Sequence, residues 1–90
     1  MGRYIAVHTL HLSPEEFIAN AKKNSEKMAK LPPGVKYNYT YCGFEDHKFF
    51  CDWESPNKET LRQVFKEVEM PYESIHLVRL FDVAKMKLES

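Results

Sequence analysis

A surplus of charge, a long apolar run and a complete catalytic signature are all missing from this chain. Thirteen basic and thirteen acidic residues cancel. They are interspersed rather than blocked, which argues against a general electrostatic grip on nucleic acid or an anionic membrane. No apolar stretch approaches the length of a membrane span, and segment 1–12 is too polar and too short to read as a secretory signal. The expected compartment is the cytoplasm, where the two cysteines, Cys42 and Cys51, would stay reduced. No CxxC, HExxH, phosphate loop or triad spacing is present. No linker, repeat or low-complexity segment divides the chain. Its 90 residues read as one domain, residues 1–90, large enough for a single modest core.

What is present is a regular alternation of strand and helix signals. Residues 3–11, RYIAVHTLH, are rich in β-formers but alternate poorly, as a strand with both faces occupied does. Ser13-Pro14-Glu15-Glu16 supplies an N-cap, a proline at the first helical position and a glutamate three residues after the cap, a capping box. The helix that follows carries Phe17, Ala21 and Met28 on one face, is polar at Asn24 and Ser25, and ends at Leu31-Pro32-Pro33-Gly34. Residues 35–42, VKYNYTYC, read as a second strand with Tyr37, Tyr39 and Tyr41 in period two. GFEDHK makes a hairpin turn, and FFCDWE the third strand. Ser55-Pro56 or Asn57 then starts a second helix whose Leu61, Val64, Phe65 and Val68 fall at i, i+3, i+4 and i+7. Met70-Pro71 stops it, and residues 73–83, ESIHLVRLFDV, read as a fourth strand. The tail AKMKLES has no clear assignment.

The order βαββαβ is the split βαβ arrangement of the ferredoxin-like fold. Right-handed crossovers give an α+β sandwich with an antiparallel sheet in order 4-1-3-2 and both helices on one face. The other face is left open. A second copy meeting it would make a homodimer, a dimeric α+β barrel.

Strand parity decides what that open face carries. With Ile5 and Val7 turned toward the helices, Tyr4, Ala6, His8 and Leu10 would point outward. Phe49, Cys51 and Trp53 read as helix-facing, leaving Phe50, Asp52 and Glu54 open. On the fourth strand Ile75 and Leu77 go inward, and His76, Val78 and Leu80 outward. His8, Asp52 and His76 would then share one face on three adjacent strands, a plausible divalent-metal or acid–base cluster. The hairpin register is open at this level. A turn on Asp46-His47 sets Cys42 opposite Cys51. A three-residue loop from Glu45 to His47 pairs Cys42 with Phe50. A turn on Glu45-Asp46 puts the three tyrosines on the Asp52 face. Each candidate also has a plain structural role. A cysteine in a central strand such as Cys51 is more often a small core hydrophobe than a ligand, His8 and His76 more often hydrogen-bonded sheet residues, and Asp52 could pair with Arg79, Lys48 or a partner subunit. His11 and His47, at element ends, read as solvated.

From HKFFCDWESP through ETLRQVFKEVEMPYESIHLV, residues 47–78, the chain resembles a family of small ferredoxin-like proteins. Most have no assigned function, and the family includes nickel-binding, nickel-responsive members. The resemblance rests on an aromatic-Cys strand, an acid-small-Pro helix start, an amphipathic helix, a Pro break and a final strand with Ile and Val. It implies a homodimer with facing sheets and metal ligands on the strands. By position, Cys51 and the Glu54–Pro56 segment carry over.

Taken together, these readings point to a cytoplasmic metal-binding protein without catalysis of its own. Its expected ligands are His8, Cys51, Asp52 and His76, and its expected ion is nickel or another divalent transition metal. Two other functions compete. One is a small dimeric α+β barrel enzyme, monooxygenase- or cyclase-like, acting on a hydrophobic or phenolic molecule with a histidine as base and the tyrosines lining its cavity. The other is an assembly or regulatory module that binds a partner chain through the open face.

Overall fold

The structure is a computed structural model and describes residues 2–89. Its first strand, β1 (Gly2–Thr9), leads into α1 (Pro14–Lys23) through the expected capping box. Ser13 Oγ accepts from the Glu16 amide at 3.1 Å, and the Glu16 carboxylate accepts from the Ser13 amide at 2.9 Å. The helix stops earlier than its pattern predicts. Asn24 Nδ2 donates to the Asn20 carbonyl, and Ser25 Oγ to the Lys22 carbonyl. These short polar side chains compete with the backbone ladder, and the helix breaks there into a separate turn, α2 (Ser25–Met28). Gly34, at φ 80°, completes the Pro33-Gly34 turn that leads into β2 (Lys36–Gly43).

β2, β3 (Lys48–Ser55), β1 and β4 (Ser74–Val78) form one antiparallel sheet in the order β2-β3-β1-β4. This is the expected order 4-1-3-2 read from the other edge. Between β3 and β4 runs α3 (Lys58–Glu67), capped by Asn57, whose Oδ1 accepts from the Thr60 amide at 2.8 Å. The hairpin register is the one with its turn on Glu45-Asp46, since Gly43 pairs with Lys48 and Tyr41 with Phe50. A side chain at Gly43 would place its Cβ 2.9 Å from the Lys48 carbonyl oxygen, so the strand needs glycine where it enters the turn. A bulge at Asn38 then changes the parity. Tyr39 pairs with Asp52, but Tyr37 pairs with Trp53 and lies on the other face. The tyrosines therefore split, two on the open face and one on the helix face.

Two further expectations are corrected. In β1 the helix-facing residues are Tyr4, Ala6 and His8, all buried, while Ile5 and Val7 face outward and are half-buried. The alternation in this strand is too weak to reveal its parity. What decides is the fit beneath the helices, where the small Ala6, opposite Cys51, lets the helical layer approach. The fourth strand ends at Val78 instead of Val83. Val78 already pairs with Arg3, and among the described residues β1 offers only Gly2 beyond it. The chain turns away and makes a hairpin of its own, β5 (Leu80–Asp82) with β6 (Lys87–Glu89).

The core is asymmetric. Leu61, Val64 and Phe65 of α3 are buried against Trp53, Cys51, Tyr4, Ala6 and Ile75. Trp53 stacks on Tyr37 at 4.4 Å between ring centroids and meets the edge of Phe65 at 5.4 Å. α1, by contrast, buries no residue. Replacing Trp53 by alanine is expected to cost about 3–5 kcal/mol in urea unfolding. Phe17→Ala, on α1, is expected to cost about 1 kcal/mol. Equal losses would show that α1 shares the main core.

Candidate functional site

The sheet separates the four expected ligands into two pairs. Asp52 and His76 point to the open face. Ile5 pairs with Asp52 on one side and His76 on the other, so the two stand at one level across β3, β1 and β4. Asp52 is buried, and its Oδ1 lies 3.9 Å from Arg3 Nε and 3.5 Å from Asn38 Nδ2. Asn38 also donates to Glu54 at 3.1 Å. The bulge on β2 is what presents Asn38 to both carboxylates. His76 is exposed, with Nε2 2.8 Å from Ser74 Oγ. Phe50, Tyr39 and Tyr41 are exposed around this row, and Ile5, Val7 and Val78 are half-buried within it. An apolar field thus carries a short line of charge and imidazole. Among the described residues, no group of three or more His, Cys, Asp or Glu stands close enough to hold a metal ion.

His8 and Cys51 lie on the opposite face, under the helices. The expected placement of His8 beside Asp52 is therefore corrected. His8 is fully buried, with Nδ1 2.8 Å from the Pro71 carbonyl oxygen and its ring edge-on to Phe65 at 5.3 Å. A carbonyl oxygen only accepts, so Nδ1 carries a proton. Burial lowers the pKa of the imidazole, outweighing the Pro71 hydrogen bond and the Glu73 charge that raise it. The ring is then neutral, and Nε2 is a lone pair. Among the described residues that lone pair has no hydrogen-bond partner, and an unmet buried acceptor typically costs about 1–3 kcal/mol. Its state is that of many metal-ligating histidines, whose second nitrogen donates to a backbone carbonyl.

Cys51 has neighbours that sequence alone did not supply. Thr40 Oγ1 is 3.3 Å and Tyr37 OH 3.6 Å from its Sγ, and the two hydroxyls also meet each other. Burial pushes the Cys51 thiol up more than these hydroxyls draw it down, so it is held protonated and is a poor nucleophile at neutral pH. Tyr37 is raised by the same burial. The signal for this grouping is the bulge, which puts Tyr37 on the Cys51 face, and no residue pattern announces it. His11 and His47, read as separate solvated ends, are in contact, with ring centroids 4.2 Å apart.

Beside His8 and Cys51 opens a cavity of about 450 Å³ between the sheet and the α1–α2 segment. Phe49 and Tyr37 line it from the sheet, and Phe17, Ala21 and Met28 from the helices. The three apolar residues expected on one face of the first helix, now divided between α1 and α2, thus border a void. Tyr39 and Tyr41 are on the other side of the sheet and take no part in it.

The neutral state of His8 has a consequence for folding. Its folded pKa lies below 6.5, so the unfolded chain takes up the proton more readily. Stability is complete above about pH 6.5 and falls as the pH drops through that value toward the folded pKa. Urea unfolding from pH 8 to 5 is expected to show this loss, and His8→Gln to remove most of the slope. An unchanged slope would assign the acid lability to other groups.

The family described as nickel responsive protein SCO4226-like matches residues 4–78 of this chain. Among solved structures, the chain is similar to SCO4226 from Streptomyces coelicolor A3(2), known from a crystal structure. The TM-score is 0.69 at 15% identity, and the match covers 87% of this chain and 96% of that one. At this identity the likeness speaks for the fold. No curated protein matches the chain. The family match runs from Tyr4 in β1 to Val78 at the end of β4 and stops before the β5–β6 hairpin. It spans every strand of the main sheet, and the chain belongs to the nickel-responsive SCO4226-like family.

Proposed function

We propose that this chain is a small metal-binding protein, without catalysis of its own, that holds nickel or a similar divalent transition metal as a homodimer paired through the open sheet face. The observation that carries this reading is the alignment of Asp52 and His76 across that face. Carboxylate and imidazole suit borderline divalent ions. One chain brings too few donors together. Two-fold pairing of the same face sets a second Asp52 and His76 against the first pair. His76 is exposed and can turn toward an ion, and both contacts to Asp52 fall on Oδ1. The description of the family as nickel-responsive agrees with this reading.

Pairing also accounts for the apolar side chains around the ligands. Phe50, Tyr39 and Tyr41 are 40%, 66% and 61% exposed, and each Å² of apolar surface they lose on association contributes about 25 cal/mol before the cost of association. Burial of the same patch strengthens the attraction between an ion and its ligands, because water is excluded.

Titration with nickel and with zinc under native mass spectrometry is expected to show stoichiometric uptake by a species of twice 10.6 kDa. His76→Ala is expected to weaken uptake by at least the roughly 10–100-fold that changes near a metal site cost. His11→Ala and His47→Ala are expected to leave it unchanged. Absence of stoichiometric uptake, or loss on changing His11 or His47 alone, would overturn the assignment to the open face. A mass near 10.6 kDa at all concentrations in light scattering would remove the dimer.

A further inference from the structure

We propose that the cavity between the α1–α2 segment and the sheet is a binding site for an uncharged, largely apolar aromatic alcohol or phenol, with the hydroxyl donating to His8 Nε2. This site lies on the opposite side of the sheet from the proposed metal ligands and does not depend on them.

Three observations define the occupant. The first is volume. About 450 Å³ falls within the range of small-molecule sites, roughly 300–1,000 Å³. The second is charge. Among the described residues no Asp, Glu, Lys or Arg lines the cavity, so a charged ligand would lose its hydration without gaining a counter-ion. The third is the surface itself. Phe17 and Phe49 meet edge-to-face at 5.3 Å, with Met28 nearby in the same lining. Aromatic rings and a thioether favour an aromatic guest.

The polar groups narrow the choice further. His8 forms part of the lining, and its Nε2 is a buried acceptor without a donor. The hydroxyls of Tyr37 and Thr40 are already engaged with each other and with Cys51. Asn20, Asn24 and Ser25 complete the polar part of the wall, and among the described residues His8 Nε2 is its fully buried acceptor without a hydrogen-bond partner, which a hydroxyl on the ligand would supply. The helices agree with this arrangement. α1 is well capped but buries no residue, and its Phe17 and Ala21 border the void. An occupant gives α1 the packing that the rest of the chain does not.

The test uses full-length protein freed of metal with a chelator, titrated with naphthol, naphthalene and naphthalenesulfonate near neutral pH and followed by amide NMR. Naphthol is expected to saturate at one molecule per chain, with shifts concentrated on residues 17–29 and around His8, Thr40 and Cys51. The sulfonate is expected to bind at least about tenfold more weakly. Ala21 is an exposed helix position that lines the cavity, and Ala21→Trp is expected to abolish binding while the fold persists. His8→Phe is expected to erase the preference for naphthol over naphthalene. Failure of naphthol to saturate would overturn the proposal. So would equal binding of the sulfonate, shifts confined to the open face or the β5–β6 hairpin, or unchanged binding by Ala21→Trp.

Discussion

The packing of Trp53 between Tyr37 and Phe65 is the contact on which the rest of this structure depends. Trp53 is almost wholly buried, and its two ring neighbours come from β2 and α3. That one side chain ties the edge strand, the central strand and the better-packed helix together. It also fixes the face on which Cys51 and Phe49 must lie, since residues two apart on a strand share a face. Stacking on Trp53 requires Tyr37 to be on the helix side, although Tyr39 is not. The bulge at Asn38 reconciles the two. By the same step it brings a phenol to Cys51 and an amide to Asp52 and Glu54.

A central strand is also a divider. Cys51 and Asp52 are adjacent in sequence, yet the sheet lies between their side chains, and each meets a different chemistry. Cys51 faces hydroxyls, aromatics and a neutral imidazole, and among the described residues no charged group lines the cavity beside it. Asp52 faces a guanidinium, an amide and, across Ile5, a second imidazole. A soft thiol and a carboxylate side by side in sequence suggest a shared metal centre, but period-two geometry forbids it within one chain.

The order of elements was legible because its signals are local. The Ser13–Glu16 capping box, the Leu61–Val68 spacing and the Pro32-Pro33-Gly34 and Met70-Pro71 breaks each act over a few residues. The parity of β3 was legible too, since Phe49, Cys51 and Trp53 sit two apart beside charged neighbours. The parity of β1 was not. Ile5 and Val7 are as apolar as Tyr4 and Ala6, and the helix side is chosen by which set fits beneath α3. His8 changed faces with that choice, and the sequence-based cluster of His8, Asp52 and His76 broke up. The end of β4 was equally hidden, because it depends on where β1 stops offering partners and the composition of residues 79–83 carries no sign of it.

The unequal packing of the helices links these points to function. α3 fills its half of the sheet with Leu61, Val64 and Phe65, and that half is a structural core. α1 spans the other half and breaks at the polar Asn24-Ser25, so beyond the Phe17–Phe49 contact its apolar stripe leaves a cavity over the sheet. What remains beneath it is a void bounded by rigid aromatics and by a histidine whose Nδ1 is anchored to Pro71. The anchor is at the loop that ends α3, so the well-packed half of the molecule sets the tautomer of a group in the loosely packed half. A ring fixed in that way keeps its Nε2 as the lone-pair nitrogen. The site therefore combines one fixed polar point with a largely apolar wall, the combination by which small-molecule pockets set a ligand's orientation.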